Sequence, residues 1–205
     1  MRRARPDDAE AIASVHVRSW QQAYRGQVPD EYLAGLDITT RAGWWRRELE
    51  VTPAERSPWL ADSDVGVAGF VASGPTRDEG GSGRTAEIQA IYVDPDCWNR
   101  GIGRDLLSHA ERDLSTAGYD EAILWCLIGN QQARRFYEAA GWRTDGGTQT
   151  ITLGGRELEE VRYRLDFRRR VPQPAKGGLQ AGPTRFSPGR RTRSDPPNGK
   201  QHAPR

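Results

Sequence analysis

The chain has 205 residues, 36% of them apolar and 28% charged, with 30 Lys/Arg against 28 Asp/Glu. That length holds one domain with a sizeable core; two cysteines exclude a disulfide-framed scaffold, and the lack of any apolar run near signal-peptide or membrane-span length leads us to expect a soluble, cytoplasmic protein. The small positive balance conceals an asymmetry, because from Arg168 onward ten Lys/Arg and seven prolines accompany a single acidic residue, Asp195. An acidic folded body over 1–167 is therefore expected to precede a basic tail over 168–205, which is too poor in large apolar side chains to offset its ordering entropy and should be disordered.

In chain order, residues 2–5 read as a short strand. Pro6-Asp7-Asp8 opens a helix whose apolar positions, Ile12 and Val15 among them, run to about Ala23 before Gly26 ends it. Helices are expected near 29–36 and 40–49, the second with Trp44, Trp45 and Leu49 on one side. From Trp59 the period changes to that of strands, at 59–62 and 65–73, joined by Ser63-Asp64. A Gly-rich loop over 74–84 leads to a strand at 85–93. Beyond Gly103 comes an amphipathic helix carrying Leu106, Leu107, Ala110 and Leu114 and stopping at Gly118, and then the continuous apolar run 122–128 of a strand buried on both faces. Strand, helix and strand within roughly forty residues imply a parallel crossover. A short helix from Asn130, a good N-cap, to Gly141, a good stop, is followed by strands at 148–153 and 158–166 about the Gly154-Gly155 turn.

The stretch Ile88–Leu107 carries the chemistry. Its apolar strand stops at Asp94-Pro95, and Arg100-Gly101-Ile102-Gly103-Arg104 opens the next helix. Glycines at 101 and 103 leave the backbone open to a ligand; several free N–H groups, the helix dipole and two arginines then converge on one anion. We read a pyrophosphate cradle. A dinucleotide fingerprint fails because Leu106 stands at the third glycine position, and a P-loop fails for want of Gly-Lys-Ser/Thr. The cysteines, Cys97 and Cys126, and three scattered histidines give no metal-binding spacing, so no metal is expected.

The segment Trp98-Asn99-Arg100-Gly101-Ile102-Gly103 resembles the coenzyme A loop of the GNAT N-acetyltransferase superfamily, with Trp98 departing from the usual Gln or Arg. Asn130, Ala133, Phe136-Tyr137-Glu138 and Gly141-Trp142 resemble its second motif, and 13–20, 23–26 and 29–33 resemble a bacterial branch, so the resemblance spans 2–166. It implies an α/β fold: a single GNAT-like domain with a mixed, mostly antiparallel sheet of six to seven strands, a parallel pair around the crossover helix, and helices on both faces. It also implies acetyl-CoA as cosubstrate, an amine as acceptor and direct acetyl transfer. The backbone of Ile91, Tyr92 and Val93 would pair with pantetheine where the strands splay; Asn99, Arg100, Gly101, Ile102, Gly103 and Arg104 would hold the pyrophosphate; Asn130, an N-cap in any case, would also touch the coenzyme.

Tyr137 is the expected general acid, a phenol whose pKa of about 10 is not far from the roughly 8.5 of a departing thiol. As bases, Glu87 opens the strand beside the site and His16 is the weaker choice; Trp20, Tyr24 and Tyr32 are expected to line an acceptor pocket. Cys97 precedes the loop and Cys126 lies in a buried strand, so neither reads as a nucleophile. The rival reading is a binding protein, either an acyl-CoA sensor or a module whose tail binds nucleic acid. A single aromatic in the tail, Phe186, and no nucleic-acid fold weigh against the latter. The resemblance leaves a homodimer open, since related folds often pair, and does not name the acceptor.

Overall fold

The computed structural model describes residues 1–64, 66–78 and 82–169. The expected disorder of the tail therefore falls outside the described residues. Strand β1, Arg2–Arg3, leads into helix α1, Ala9–Ala23, whose entry is tied by Asp8: its carboxylate accepts from the Arg5 N–H at 2.7 Å and from both guanidinium NH₂ groups of Arg2. Helix α2 spans Asp30–Ala34 and α3 spans Ile38–Val51. The sequence expectation starts α3 at Thr40, but the cap is Asp37, whose carboxylate accepts from the Thr40 N–H at 2.7 Å and leaves Ile38 in the first turn.

Strands β2, Trp59–Ser63, β3, Gly66–Pro75, and β4, Thr85–Val93, form an antiparallel meander. Helix α4, Ile102–Thr116, crosses to β5, Glu121–Leu127, which lies parallel to β4. Helix α5, Gln131–Ala139, then leads to the hairpin of β6, Arg143–Leu153, and β7, Arg156–Asp166. The seven strands stand in the order β1-β2-β3-β4-β5-β7-β6, antiparallel except at β4–β5. This is the mixed α/β sheet expected. β6 starts five residues earlier than its glycines suggest. A register shift between Thr144 and Thr148 absorbs Gly146 and Gly147, while Arg162 and Arg164 on β7 hold Asp145 at 2.9 Å.

Two cores sandwich the sheet. On one face Leu106, Leu107, Ala110 and Leu114 of α4 pack on Ala86, Ile88 and Leu124. On the other, Ile12 and Val15 of α1 and Trp45 and Leu49 of α3 pack on Leu60 and Phe70. The Gly141-Trp142 pair ends α5 with a left-handed glycine, φ 91°, and buries Trp142 fully, its indole N–H donating to the Glu111 carboxylate of α4 at 2.8 Å. That bond fixes the two crossover-side helices to each other. Among the described residues no helix is long and apolar enough to cross a membrane.

Candidate active site

The parallel pairing of β4 and β5 is short: Thr85, Ala86 and Glu87 face Glu121, Ala122 and Ile123, and there it stops. From Ile88 to Val93, β4 keeps its ladder with β3 and leaves its other edge unpaired, so the two strands open into a V. An unpaired edge is a row of N–H and C=O groups ready to pair with an extended ligand. A bulge sharpens the geometry. Ala72 faces Ala90 but Ser73 faces Ile88, so Gln89 is an extra residue. The bulge inverts the alternation, keeping Ile88, Ile91 and Val93 on the α4 side while Ala90 and Tyr92 turn to the α1 side.

The V opens into a cavity of about 700 Å³. One end is the start of α4. Gly101 is its N-cap at φ 83°, a left-handed conformation that a side chain strains, and Asn99 shares that region at φ 61°. No side chain caps this helix, so its first-turn N–H groups stay available. A methyl group on Gly103 would lie 3.6 Å from the Phe136 ring and from Val93, both of which line the cavity. Arg104 on α4 and Arg135 on α5 also line it, and among the described residues neither meets a carboxylate. Trp98 anchors the loop, its indole N–H donating to the Val93 carbonyl at 2.7 Å; the Ser19 hydroxyl donates to the same carbonyl at 2.8 Å. The departure from Gln or Arg at 98 thus gives the turn a tether to the end of β4. Free backbone donors, an open strand edge and unpaired cations suit a long ligand with a phosphorylated end, so the residues present fit coenzyme A.

Deeper in, Asn130 caps α5, its side-chain oxygen accepting from the Ala133 N–H at 3.0 Å, and it lines the cavity as well. Tyr137 is 8% exposed, packed among Phe136, Trp142 and Tyr163 with ring centroids 5.2–6.4 Å away. Its hydroxyl has no protein partner among the described residues. Burial, reinforced by neighbouring Cys126, Tyr92 and Tyr163, pushes this phenol well above its ordinary value and keeps it protonated.

The sequence candidates divide on this geometry. Ile91, Tyr92, Val93, Trp98, Asn99, Gly101, Ile102, Gly103, Arg104, Asn130, Tyr137, Tyr24 and Glu87 line the cavity; Arg100 does not, and is exposed. Glu87 is 1% exposed, and its carboxylate is held by Arg77 through the backbone N–H at 2.9 Å, Nε at 3.2 Å and Nη2 at 2.5 Å. A carboxylate so engaged is a clasp between the β3–β4 connection and β4. Trp20 and Tyr32 are not cavity walls. Trp20 is 1% exposed in a cluster with Val28, Leu33 and Leu153, and Tyr32 packs on the β6–β7 turn at Gly154. His16 also lies outside the cavity, buried under Tyr92 at a stacked 4.8 Å, with Nδ1 accepting from Trp45 at 3.3 Å; burial, and next the charge of Arg41, pull its pKa to about 3. Helical spacing on α1 cannot tell a core aromatic from a pocket wall.

Among the lining residues that the sequence does not single out are Gln132, Arg135 and Glu160. Gln132 and Arg135 line the cavity from α5, and their i,i+3 spacing beside Asn130 was the available signal. Glu160, on β7, is 3% exposed and lines the cavity from the far side; nothing local marks it.

The acetyltransferase (GNAT) family profile matches residues 15–142. The probable N-acetyltransferase Rv2775 of Mycobacterium tuberculosis is 34% identical over 169 residues, 80% of this chain and 92% of the relative. Among solved structures, the PaiA N-acetyltransferase of Thermoplasma acidophilum in complex with coenzyme A superposes with a TM-score of 0.62 at 21% identity, covering 81% of this chain and 97% of that one. YncA of Salmonella typhimurium, a putative acetyltransferase solved with acetyl-CoA, gives 0.61 at 19% identity over 89% and 96%.

Proposed function

The chain belongs to the GNAT acetyltransferase family, and from that premise we propose that it moves an acetyl group from acetyl-CoA to a primary amine by direct attack, with Tyr137 as the general acid. The observation that carries this reading is Tyr137 itself, which lines the cavity from α5, with its hydroxyl kept protonated by burial and bonded to no protein group among the described residues. Acetyl-CoA, when bound, supplies an activated thioester carbonyl.

The start of α4, with Arg104 and Arg135, holds the pyrophosphate end. The free edge of β4 at Ile91–Val93 pairs with the pantetheine amides, and Asn130 contacts the coenzyme beyond its capping bond. A backbone N–H on that edge stabilises the charge developing on the carbonyl oxygen. As the C–N bond forms and the C–S bond breaks, the electron pair leaves on sulfur and the Tyr137 hydroxyl delivers a proton to it; the phenolate recovers a proton from the acylated nitrogen through solvent. No side chain becomes acylated. Cys126 faces the cavity, but burial, with the charge of Glu160 next, pushes its thiol up to about 12 and keeps it protonated. The acceptor enters past Tyr24, on the side of the V opposite α5. The Mycobacterium tuberculosis relative, a probable N-acetyltransferase, supports the same reaction.

The test is free-thiol release from acetyl-CoA by the full chain against a panel of primary amines. Acceptor-dependent release is expected, and a protein that does not bind acetyl-CoA at all would refute the reading.

A further inference from the structure

We propose that the Glu160 carboxylate receives the acceptor's ammonium group and removes its proton, so that the acceptor is a primary amine on an apolar stem approaching over the β5–β7 face of the sheet. This deepens the transferase reading above and rests on it.

Cross-strand register fixes where Glu160 sits. Glu160 stands opposite Leu127, the last residue of β5, and opposite Gln149 on β6. Leu127 is where β5 ends after diverging from β4, so Glu160 lies at the mouth of the V on the side away from α5. Two residues along the same face, Leu158 and its cross-strand partner Ile151 join Tyr24, Tyr32 and Leu36 in a partly buried apolar cluster. In the other direction stand Arg162, tied to Asp78 and Asp145 at 2.9 Å, and Trp125, whose indole N–H donates to Asp78 at 3.0 Å. A carboxylate 3% exposed, lining the cavity between an apolar patch and an ion-paired wall, is suited to take a cationic head whose stem lies on the patch.

Its placement relative to Tyr137 is also apt. Tyr92 of β4 and Cys126 of β5 both feel the negative charge of Glu160, and both neighbour Tyr137. The proton donor and this carboxylate therefore share the same two neighbours and line the same cavity. Amide formation needs that arrangement: the attacking nitrogen must lose a proton on one side while the departing sulfur gains one on the other. Glu160 takes one proton from the ammonium to leave the neutral nucleophile, and passes it to solvent after product leaves. Glu87, the other buried carboxylate of the cavity, is ion-paired with Arg77, whereas Glu160 accepts from the neutral amide of Gln149, a bond that does not neutralise its charge. The titratable and charged groups around Glu160 include Tyr92 and Cys126, which its charge reaches, Tyr24 and Arg41 near Tyr92, Arg134 and Glu138 near Cys126, and Arg162 two residues along β7.

The bland alternative is a cross-strand strut, since Gln149 donates to Glu160 at 2.6 Å. Glu160→Gln preserves shape and separates the two. Hexylammonium chloride is titrated calorimetrically into the full chain, free and loaded with acetyl-CoA, with Glu160→Gln and Glu160→Asp beside it; acetyl-CoA affinity and thermal unfolding verify the fold. Wild type is expected to bind the ammonium at least tenfold more tightly than Glu160→Gln, with Glu160→Asp between them and acetyl-CoA affinity equal in all three. Turnover of hexylamine by Glu160→Gln should fall by about 10²-fold or more, and the loss should be greatest below about pH 8, where an amine of pKa near 10 has little neutral form in solution. Equal ammonium affinity in wild type and Glu160→Gln, or no binding by wild type, overturns the assignment. Failure of wild type to bind acetyl-CoA overturns the transferase reading instead, while the ammonium titration of the free protein still judges Glu160.

Discussion

Replacing Tyr137 by phenylalanine removes one oxygen and little else. The ring stays wedged among Phe136, Trp142 and Tyr163, and because the hydroxyl bonds no protein group among the described residues, no partner is left unsatisfied. Stability should therefore change by less than about 1 kcal/mol. Binding of acetyl-CoA, which we propose rests on the α4 turn and the β4 edge, should change by no more than about threefold. The chemical step is different: without a proton donor the sulfur must leave as a thiolate, and loss of a positioned general acid costs about 10² to 10⁴ in rate, or about 3 to 5 kcal/mol of barrier. Stopped-flow thiol release under single-turnover conditions reads that step directly, with calorimetric titration of acetyl-CoA alongside. A variant whose single-turnover rate stays within threefold of wild type would refute the acid role, and one that loses coenzyme affinity in proportion to rate would show that the hydroxyl binds and does not catalyse.

Three further outcomes follow from named contacts. His16, with its pKa drawn to about 3 by burial, stays neutral in the fold while the unfolded chain protonates near pH 6.5; stability is thus full above about pH 6.5, declines as pH falls toward 3, and is lower by about 2 kcal/mol at pH 5. Urea unfolding of wild type and His16→Phe between pH 7.5 and 5 should show that slope shrink in the variant, and parallel slopes would contradict the burial argument. Gly101→Ala meets no atom within 4 Å but forces a side chain onto φ 83°, so it should cost about 1–2 kcal/mol in urea and weaken acetyl-CoA binding by distorting the anion turn; an unchanged coenzyme affinity would remove the turn from the site. Arg77→Met strands the buried Glu87 carboxylate and should destabilise by about 3–5 kcal/mol, whereas Arg77→Met combined with Glu87→Gln should recover most of it; a double variant as unstable as the single would show that the pair is not coupled.

What the sequence by itself determined is what depends on neighbours along the chain. The order and type of the main elements, the α4 turn with its Gly101, the Asn130 cap and the Gly141-Trp142 stop are all written within a few residues, because dihedral preference and capping act over one helical turn. The wall of the cavity formed by the α4 turn and α5 was legible for that reason, including the place of Tyr137 in it. Tertiary structure alone decided the β5–β7 wall of the cavity. The end of β4–β5 pairing at Glu87, the extra residue at Gln89, the Arg77 clasp and the arrival of Glu160 beside Leu127 all depend on cross-strand register between segments tens of residues apart. The same applies to Trp20 and His16, whose spacing on α1 reads alike for a core and for a pocket until α3, Phe70 and Tyr92 close over them. Register is a property of pairs, fixed by which faces are buried, and one strand's sequence holds only half of each pair.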